Sequence, residues 1–214
     1  MPVLDLASRL DRAPGESSVP GAPLTGNGLR QALRNALHSD DAFAGFAALV
    51  RAVRDPDAVP VLPPEPAHPL PDQDAALMVA VIRNDVRWPA DVAGYRAEVA
   101  ADRERYPLTA GMPANITPCA FWPHPPADRP VTLTGDGPSN ILMIQSLRDP
   151  ATPYGGALRM RAALGAKART VTVGQGGHGM YLGNGNACGD RTVTTFLTTG
   201  RRPAKDAFCP NQVD

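Results

Sequence analysis

A strand, a helix and a second strand follow one another late in the sequence, and this succession constrains the fold more than any other feature. Residues 141–144 are a short, continuously apolar run, which is typical of a strand buried on both faces of a sheet. Thr152 and Pro153 form a helix start, and residues 170–173 give a second, β-branched strand. Such a βαβ unit binds ligands beyond the carboxyl ends of its strands. The sequence therefore predicts an α/β fold with a parallel sheet.

The sequence before this unit is predicted to be mostly helical, between residues 22 and 107. Leucines recur at every fourth position in residues 29–37, and the apolar residues of 43–53 keep the same helical spacing. Asp91 can cap a further helix because its carboxylate can accept a hydrogen bond from a free backbone N–H of the first turn. Residues 56–71 are rich in proline, which predicts an extended connector without regular structure.

The charge balance and the apolar runs exclude several classes of function. The 21 Lys and Arg residues match 21 Asp and Glu residues without long runs of one sign, so we expect no nucleic-acid or membrane partner. The longest apolar run, residues 75–82, is much shorter than the roughly 20 residues that span a bilayer. The first residues have no basic region and include Asp5, so they predict no signal peptide. As written, the chain is expected to be cytoplasmic.

Two residues that follow the predicted strands can carry acid–base chemistry. A catalytic triad needs an acid that fixes the tautomer of a histidine, and a histidine that takes the proton of the nucleophile. Asp149 follows the first strand and His178 follows the second, in the order acid then base that α/β-hydrolases use. Two simpler interpretations remain open, because Asp149 before Pro150 can be a turn former and His178 can be a surface loop residue.

Four segments around these residues carry a specific resemblance. They are R-D-P-A-T-P-Y at residues 148–154, G-G-H-G at 176–179, N-A-C at 186–188 and the tail at 200–209. Together they resemble the C-terminal domain of tripeptidyl-aminopeptidase-like (TAP-like) α/β-hydrolases, many of which are secreted actinobacterial proteins. Upstream, N-D-V-R-W-P and P-C-A-F-W-P resemble the helical lid of that family and its return to the sheet.

The resemblance implies a fold and a division of the chain. The fold would be the C-terminal portion of an α/β-hydrolase, a final βαβ unit preceded by a mostly helical lid. Residues 1–21 would be an N-terminal remnant segment, residues 22–117 the lid region and residues 118–214 the TAP-like C-terminal domain. The substrate would be a peptide or a small ester or amide, and the chemistry needs no cofactor.

The resemblance also implies roles for single residues. Asp149 would be the triad acid and His178 the general base, with Gly176, Gly177 and Gly179 letting the loop bend the imidazole toward the nucleophile. Candidates for the substrate cleft are two tryptophans and an acid that could meet a free amine, namely Trp88, Trp122 and Asp85. Packing explains the tryptophans equally well, and Asp85 can simply cap a turn.

The nucleophile is missing from these residues. No G-x-S-x-G elbow occurs in the sequence, and the surroundings of Ser17 and Ser139 match only halves of it, in predicted loops. An oxyanion segment of the HGGG type is also absent. We therefore expect the chain to provide the acid and the base of a serine hydrolase, and to be inactive alone. The alternative is a non-catalytic remnant or a binding module derived from the same family.

The cysteines and histidines limit which disulfides and metal sites the sequence predicts. An odd count, Cys119, Cys188 and Cys209, fits either one disulfide with a free thiol or three reduced thiols. The resemblance implies a Cys188–Cys209 disulfide, which disfavours Cys188 as a nucleophile, and leaves Cys119 unpaired because Arg83 stands where relatives carry its partner. The histidines are widely spaced in the sequence without a ligand motif, so we expect no metal site; they are His38, His68, His124 and His178.

Overall fold

The computed structural model describes residues 2–62, 72–124, 126 and 128–211. These residues form two compact units. The helical unit comprises Met1–Arg30 and Val50–Val131, and the sheet unit comprises Gln31–Leu49 and Thr132–Asp214. The later part of the predicted connector, residues 63–71 with His68, lies outside the described residues.

In its described residues, the helical unit contains three complete α-helices and parts of two others. The complete ones are α1 (Val3–Arg12), α4 (Asp72–Asp85) and α5 (Val92–Arg105). The unit also includes the start of α2 (Gly26–Ala36) and the end of α3 (Phe43–Arg54). The helices predicted from leucine spacing and from the Asp91 cap are confirmed, since Asp91 Oδ1 accepts a hydrogen bond from Ala93 N at 3.0 Å.

Helix α1 was not predicted, and its burial explains why it forms. Leu6 and Leu10 lie one helical turn apart and are almost fully buried. The guanidinium of Arg30 donates two hydrogen bonds of 2.7 Å to the carboxylate of Asp11, which fixes the end of α1 to α2. The helical spacing of the two leucines was present in the sequence.

A buried arginine, Arg83, occupies the position at which relatives carry the disulfide partner of Cys119. Arg83 in α4 is buried and donates a hydrogen bond of 3.1 Å to the carbonyl of Val86. Cys119 is also buried and is a free thiol. In the described parts of the chain, no helix is both long and apolar enough to cross a membrane.

The sheet unit contains a parallel three-stranded sheet, in accordance with the predicted fold class. The strands β1 (Ile141–Arg148), β2 (Ala168–Gly176) and β3 (Ala207–Cys209) lie in the order β1-β2-β3. Helix α6 (Tyr154–Leu164) connects β1 to β2, and α7 (Ala187–Thr199) connects β2 to β3. The third strand was not predicted, because three residues are too few to show periodicity.

The two predicted strands differ in burial. The sequence predicts a β1 buried on both faces, but its residues 141–145 are only half-buried. Strand β2 is more deeply buried because it lies between β1 and β3. Both faces of β1 are therefore partly covered rather than fully buried, and within the residues described β1 pairs with β2 alone and occupies the edge of the sheet.

A small apolar core and a disulfide hold the sheet unit together. Val171 and Val173 of β2 pack with Met180, Cys209 and neighbouring apolar residues. The bond between Cys188 and Cys209 joins the first turn of α7 to β3, with Cα atoms 5.7 Å apart. The structure thus contains the disulfide that the resemblance implies.

Candidate active site

Asp149 and His178 meet at the carboxyl ends of two neighbouring strands. Arg148, the last residue of β1, pairs with Gly176, the last residue of β2. Because parallel strands in register end at the same edge, the residues that follow them lie close together. His178 Nδ1 lies 2.9 Å from Asp149 Oδ2 and 3.2 Å from Oδ1.

The Asp149 carboxylate also organises the turn before α6. Its Oδ1 accepts hydrogen bonds from the backbone N–H groups of Ala151 at 2.8 Å and Thr152 at 2.7 Å. The hydroxyl of Thr152 donates to Oδ2 at 2.9 Å. The side chain of Asp149 is only 5% exposed. Asp149 therefore both forms the turn and binds His178, since its two oxygens accept hydrogen bonds from the turn residues and from the imidazole.

These contacts set the protonation of the pair. Burial raises the pKa of Asp149, but the hydrogen bonds from Thr152, His178 and Ala151 outweigh burial and lower it from 3.8 to about 2. The carboxylate is ionised at neutral pH and can only accept hydrogen bonds, so Nδ1 of a neutral His178 carries the proton. The lone pair then lies on Nε2, where a general base needs it.

A loop between α2 and α3 contributes to the site, and the sequence analysis did not predict this. The backbone N–H of His178 donates to the carbonyl of His38 at 3.0 Å, and the two imidazole rings lie edge to face with centroids 5.9 Å apart. Asp40 Oδ2 accepts hydrogen bonds from Gly176 N at 3.0 Å and from Arg148 at 3.3 Å. No local pattern points to contacts between residues so far apart in the chain.

The glycines beside His178 serve two different purposes. Gly177 and Gly179 have φ angles of +103° and +75°, a region that favours glycine. Gly176 has no such angle, but a Cβ at this position would overlap Oδ1 of Asp40. Gly176 is therefore required by the close approach of Asp40 rather than by its backbone conformation.

The two serines that match half of a nucleophile elbow, Ser17 and Ser139, bond to backbone carbonyls and not to His178. The hydroxyl of Ser17 donates to the carbonyl of Ala22 at 2.6 Å, and that of Ser139 donates to the carbonyl of Ala166 at 2.8 Å. Neither follows a strand of the sheet. Among residues 2–62, 72–124, 126 and 128–211, no serine or cysteine side chain hydrogen-bonds to His178.

The three cleft candidates lie in the helical unit, so their contact with a substrate stays a prediction. Asp85 is exposed at the last residue of α4. The indole N–H of Trp88 donates to the carbonyl of Ile82 at 3.4 Å, and Trp122 is half-buried after a short 3₁₀ turn. Over the described ranges, no group of three or more His, Cys, Asp or Glu residues is placed to hold a metal ion.

Comparison with known proteins gives one family and several relatives. Residues 106–209 match the family described as TAP-like protein. The chain is 32% identical over 135 residues to the tripeptidyl aminopeptidase of Streptomyces lividans, covering 63% of this chain and 25% of that protein. It is 30% identical over 144 residues to carboxylesterase B of Mycobacterium tuberculosis, covering 64% of this chain and 26% of that protein. With serine protease Hip1 of Mycobacterium bovis it shares 30% identity over 96 residues, covering 45% of this chain and 18% of that protein. In each case the match spans about a quarter of the relative or less.

Proposed function

Because residues 106–209 belong to the TAP-like family of α/β-hydrolases, we propose that this chain supplies the acid and the base of a serine-hydrolase triad. Asp149 is the acid and His178 is the general base. The observation that supports these roles is the 2.9 Å hydrogen bond between Asp149 Oδ2 and His178 Nδ1. The 214 residues contain no G-x-S-x-G turn, so the serine comes from another segment or a partner chain.

The proposed chemistry is acyl transfer. When a serine hydroxyl attacks a substrate carbonyl, His178 Nε2 takes the hydroxyl proton, and later returns it to the leaving amine or alcohol. Asp149 stabilises the imidazolium that forms in between, because its carboxylate is ionised and bonded to Nδ1. The oxyanion donors come with the serine-bearing part, since these residues contain no HGGG-like segment.

The proposed substrates are peptides or small esters and amides. The names of the relatives include an aminopeptidase, a serine protease and a carboxylesterase, which all act on acyl carbonyl groups. In the proposed division, residues 22–117 form the lid and residues 118–214 form the TAP-like domain. Asp85 would meet the free amine of a peptide, and Trp88 and Trp122 would contribute apolar walls of the cleft.

A serine-directed fluorophosphonate probe tests this function. We expect no labelling of the chain alone, and labelling of the added serine after mixing with the serine-bearing half of the Streptomyces lividans tripeptidyl aminopeptidase. The added half alone measures background labelling. His178→Ala should abolish the labelling gained on mixing. His124 is an exposed histidine of the helical unit, and His124→Ala should preserve that labelling.

Two results would contradict the proposal. If the chain alone is labelled and His178→Ala removes the label, one of its own serines is the nucleophile and the missing-serine hypothesis is wrong. If mixing never produces labelling although the complete Streptomyces enzyme is labelled, the chain is the non-catalytic remnant or binding module instead.

A further inference from the structure

The backbone of residues 176–179, which we call the His178 turn, is hydrogen-bonded by side chains from elsewhere in the sheet unit. Asp40, the first residue of a short 3₁₀ helix (Asp40–Ala42) in the α2–α3 connection, accepts a hydrogen bond from Gly176 N at 3.0 Å. The hydroxyl of Ser146 in β1, which is fully buried, donates to the carbonyl of Gly177 at 2.7 Å. The turn is therefore attached to β1 and to the α2–α3 loop in addition to its own strand.

Asn184 binds the other end of the same turn. Its Nδ2 donates to the carbonyl of His178 at 2.7 Å and to that of Gly179 at 3.2 Å. This fixes the orientation of the amide, because the opposite orientation would place its oxygen against two carbonyl oxygens. A Cβ on Gly177 would come within 2.8 Å of Asn184 Oδ1, so the amide lies directly against the turn.

Asn184 is in turn held by buried amides. Gln175, at the end of β2, donates from Nε2 to the carbonyl of Asn184 at 2.6 Å. Asn186, almost fully buried, donates from Nδ2 to Oε1 of Gln175 and to the carbonyl of Pro210, each at 3.0 Å. These bonds connect the His178 turn to the start of α7 and to the residue after the disulfide-bonded Cys209.

The imidazole depends on this backbone for its position. The His178 side chain is 44% exposed, so packing restrains it weakly, and the bond to Asp149 is its main polar contact. A displacement of the turn by about 1 Å would take that 2.9 Å bond beyond hydrogen-bonding distance. The groups that hold the turn therefore determine whether the acid and the base meet.

We propose that Asp40 and Asn184 are positioning residues for the general base, and this inference rests on the function proposed above. Asp40 holds Gly176 and Asn184 holds the carbonyls of His178 and Gly179, so that the imidazole reaches Asp149. Neither side chain takes part in proton transfer. Each acts through the backbone of the His178 turn.

The test uses the full chain labelled with ¹⁵N at histidine and at the backbone. One readout is the Nδ1–H resonance of His178 in its bond to Asp149, and the other is amide hydrogen exchange at Gly176 and His178. In Asp40→Ala and Asn184→Ala we expect exchange at these amides to become about tenfold faster, and the Nδ1–H resonance to broaden or disappear. Asp40→Asn keeps an oxygen for Gly176 N, and should stay close to the wild type.

Asp206→Ala is the matched control. Asp206 accepts a hydrogen bond from the backbone N of Thr170 at 2.9 Å and pairs with Arg161, so it makes the same kinds of contact at the opposite end of β2. This variant should speed exchange near Thr170 and leave the Nδ1–H resonance of His178 unchanged. An equal effect of Asp206→Ala on His178 would mean general destabilisation, and would overturn the proposal.

Unchanged exchange and an unchanged Nδ1–H resonance in Asp40→Ala and Asn184→Ala would also overturn it. If these variants do not fold, hydrogen exchange in the wild type is the test. The proposal is ruled out if the amides of Gly176 and His178 exchange there as fast as those of unstructured peptides. The function proposed above fails in a different experiment, when mixing with the serine-bearing half gives no labelling. A shifted Nδ1–H resonance in Asp40→Ala would support the positioning role separately.

Discussion

Replacing Asp149 with asparagine should remove a measurable part of the stability of the sheet unit at neutral pH. The carboxylate is 5% exposed, and its hydrogen bonds lower its pKa from 3.8 to about 2. That difference corresponds to about 2.4 kcal/mol in favour of the folded state. Asparagine keeps an oxygen for the N–H groups of Ala151 and Thr152, so we expect a loss of about 1–2 kcal/mol at pH 7.

The pH dependence gives the sharper test. Because the pKa of Asp149 is lower in the folded state, its contribution is complete well above pH 3.8 and disappears as the pH falls through about 2. At pH 3 the contribution of Asp149 to the free energy of unfolding is about 1.3 kcal/mol, roughly half of its contribution at pH 7. Because asparagine does not titrate, the stability difference between the wild type and Asp149→Asn should therefore fall by about 1.1 kcal/mol from pH 7 to pH 3.

The assay has to follow the sheet unit. Both tryptophans, Trp88 and Trp122, lie in the helical unit, so tryptophan fluorescence would follow the wrong part of the chain. Urea titrations read by pulsed hydrogen exchange at the amides of β2 measure the required free energy of unfolding. Thr152→Val is the control, since it removes the hydroxyl's hydrogen bond to Asp149 and its 3.5 Å contact with His178 but keeps the carboxylate and most of the pH dependence. If the free energies of unfolding of the wild type and Asp149→Asn are equal at pH 7, or if their difference stays constant between pH 7 and pH 3, the reasoning is refuted.

Four further predictions follow from the described contacts. Cys188→Ser should cost the sheet unit about 3 kcal/mol, and denaturing thiol titration of the oxidised wild type should find Cys119 alone; three free thiols would contradict this. Asp91→Ala should destabilise α5 by about 1 kcal/mol in tryptophan-detected urea titrations, and an unchanged midpoint would argue against the cap. In the same assay Leu6→Ala should cost about 2–5 kcal/mol, whereas a loss below 1 kcal/mol would show that α1 is not part of the core. The edge of β1 should make the isolated chain bind apolar dyes and associate as its concentration rises, and a dye-free monomer with a sharp thermal transition would contradict it.

The central part of the site could be predicted from sequence. Apolar runs and a proline-marked helix start indicate a βαβ unit, and parallel strands in register place the residues after their ends side by side. For this reason the sequence predicts that Asp149 and His178 lie side by side, and their hydrogen bond has the expected partners. The burial of β1 was less than predicted, because the extent to which a strand is covered depends on the elements that pack against it and not on its own residues.

The amino-acid sequence by itself determined the fold class and the helices with strong periodicity, since both follow from local spacing and from strand order. The roles proposed for Asp149 and His178 came from the resemblance of the surrounding motifs to TAP-like hydrolases. Only the tertiary structure decided which distant groups surround them. The contact of Asp40 with Gly176 joins residues 136 positions apart, and that of His38 with His178 joins segments with no common motif. Asn184 reaches the His178 turn only because buried amides hold its loop. Such contacts arise from how complete elements pack together, and packing leaves no periodic signal in the chain.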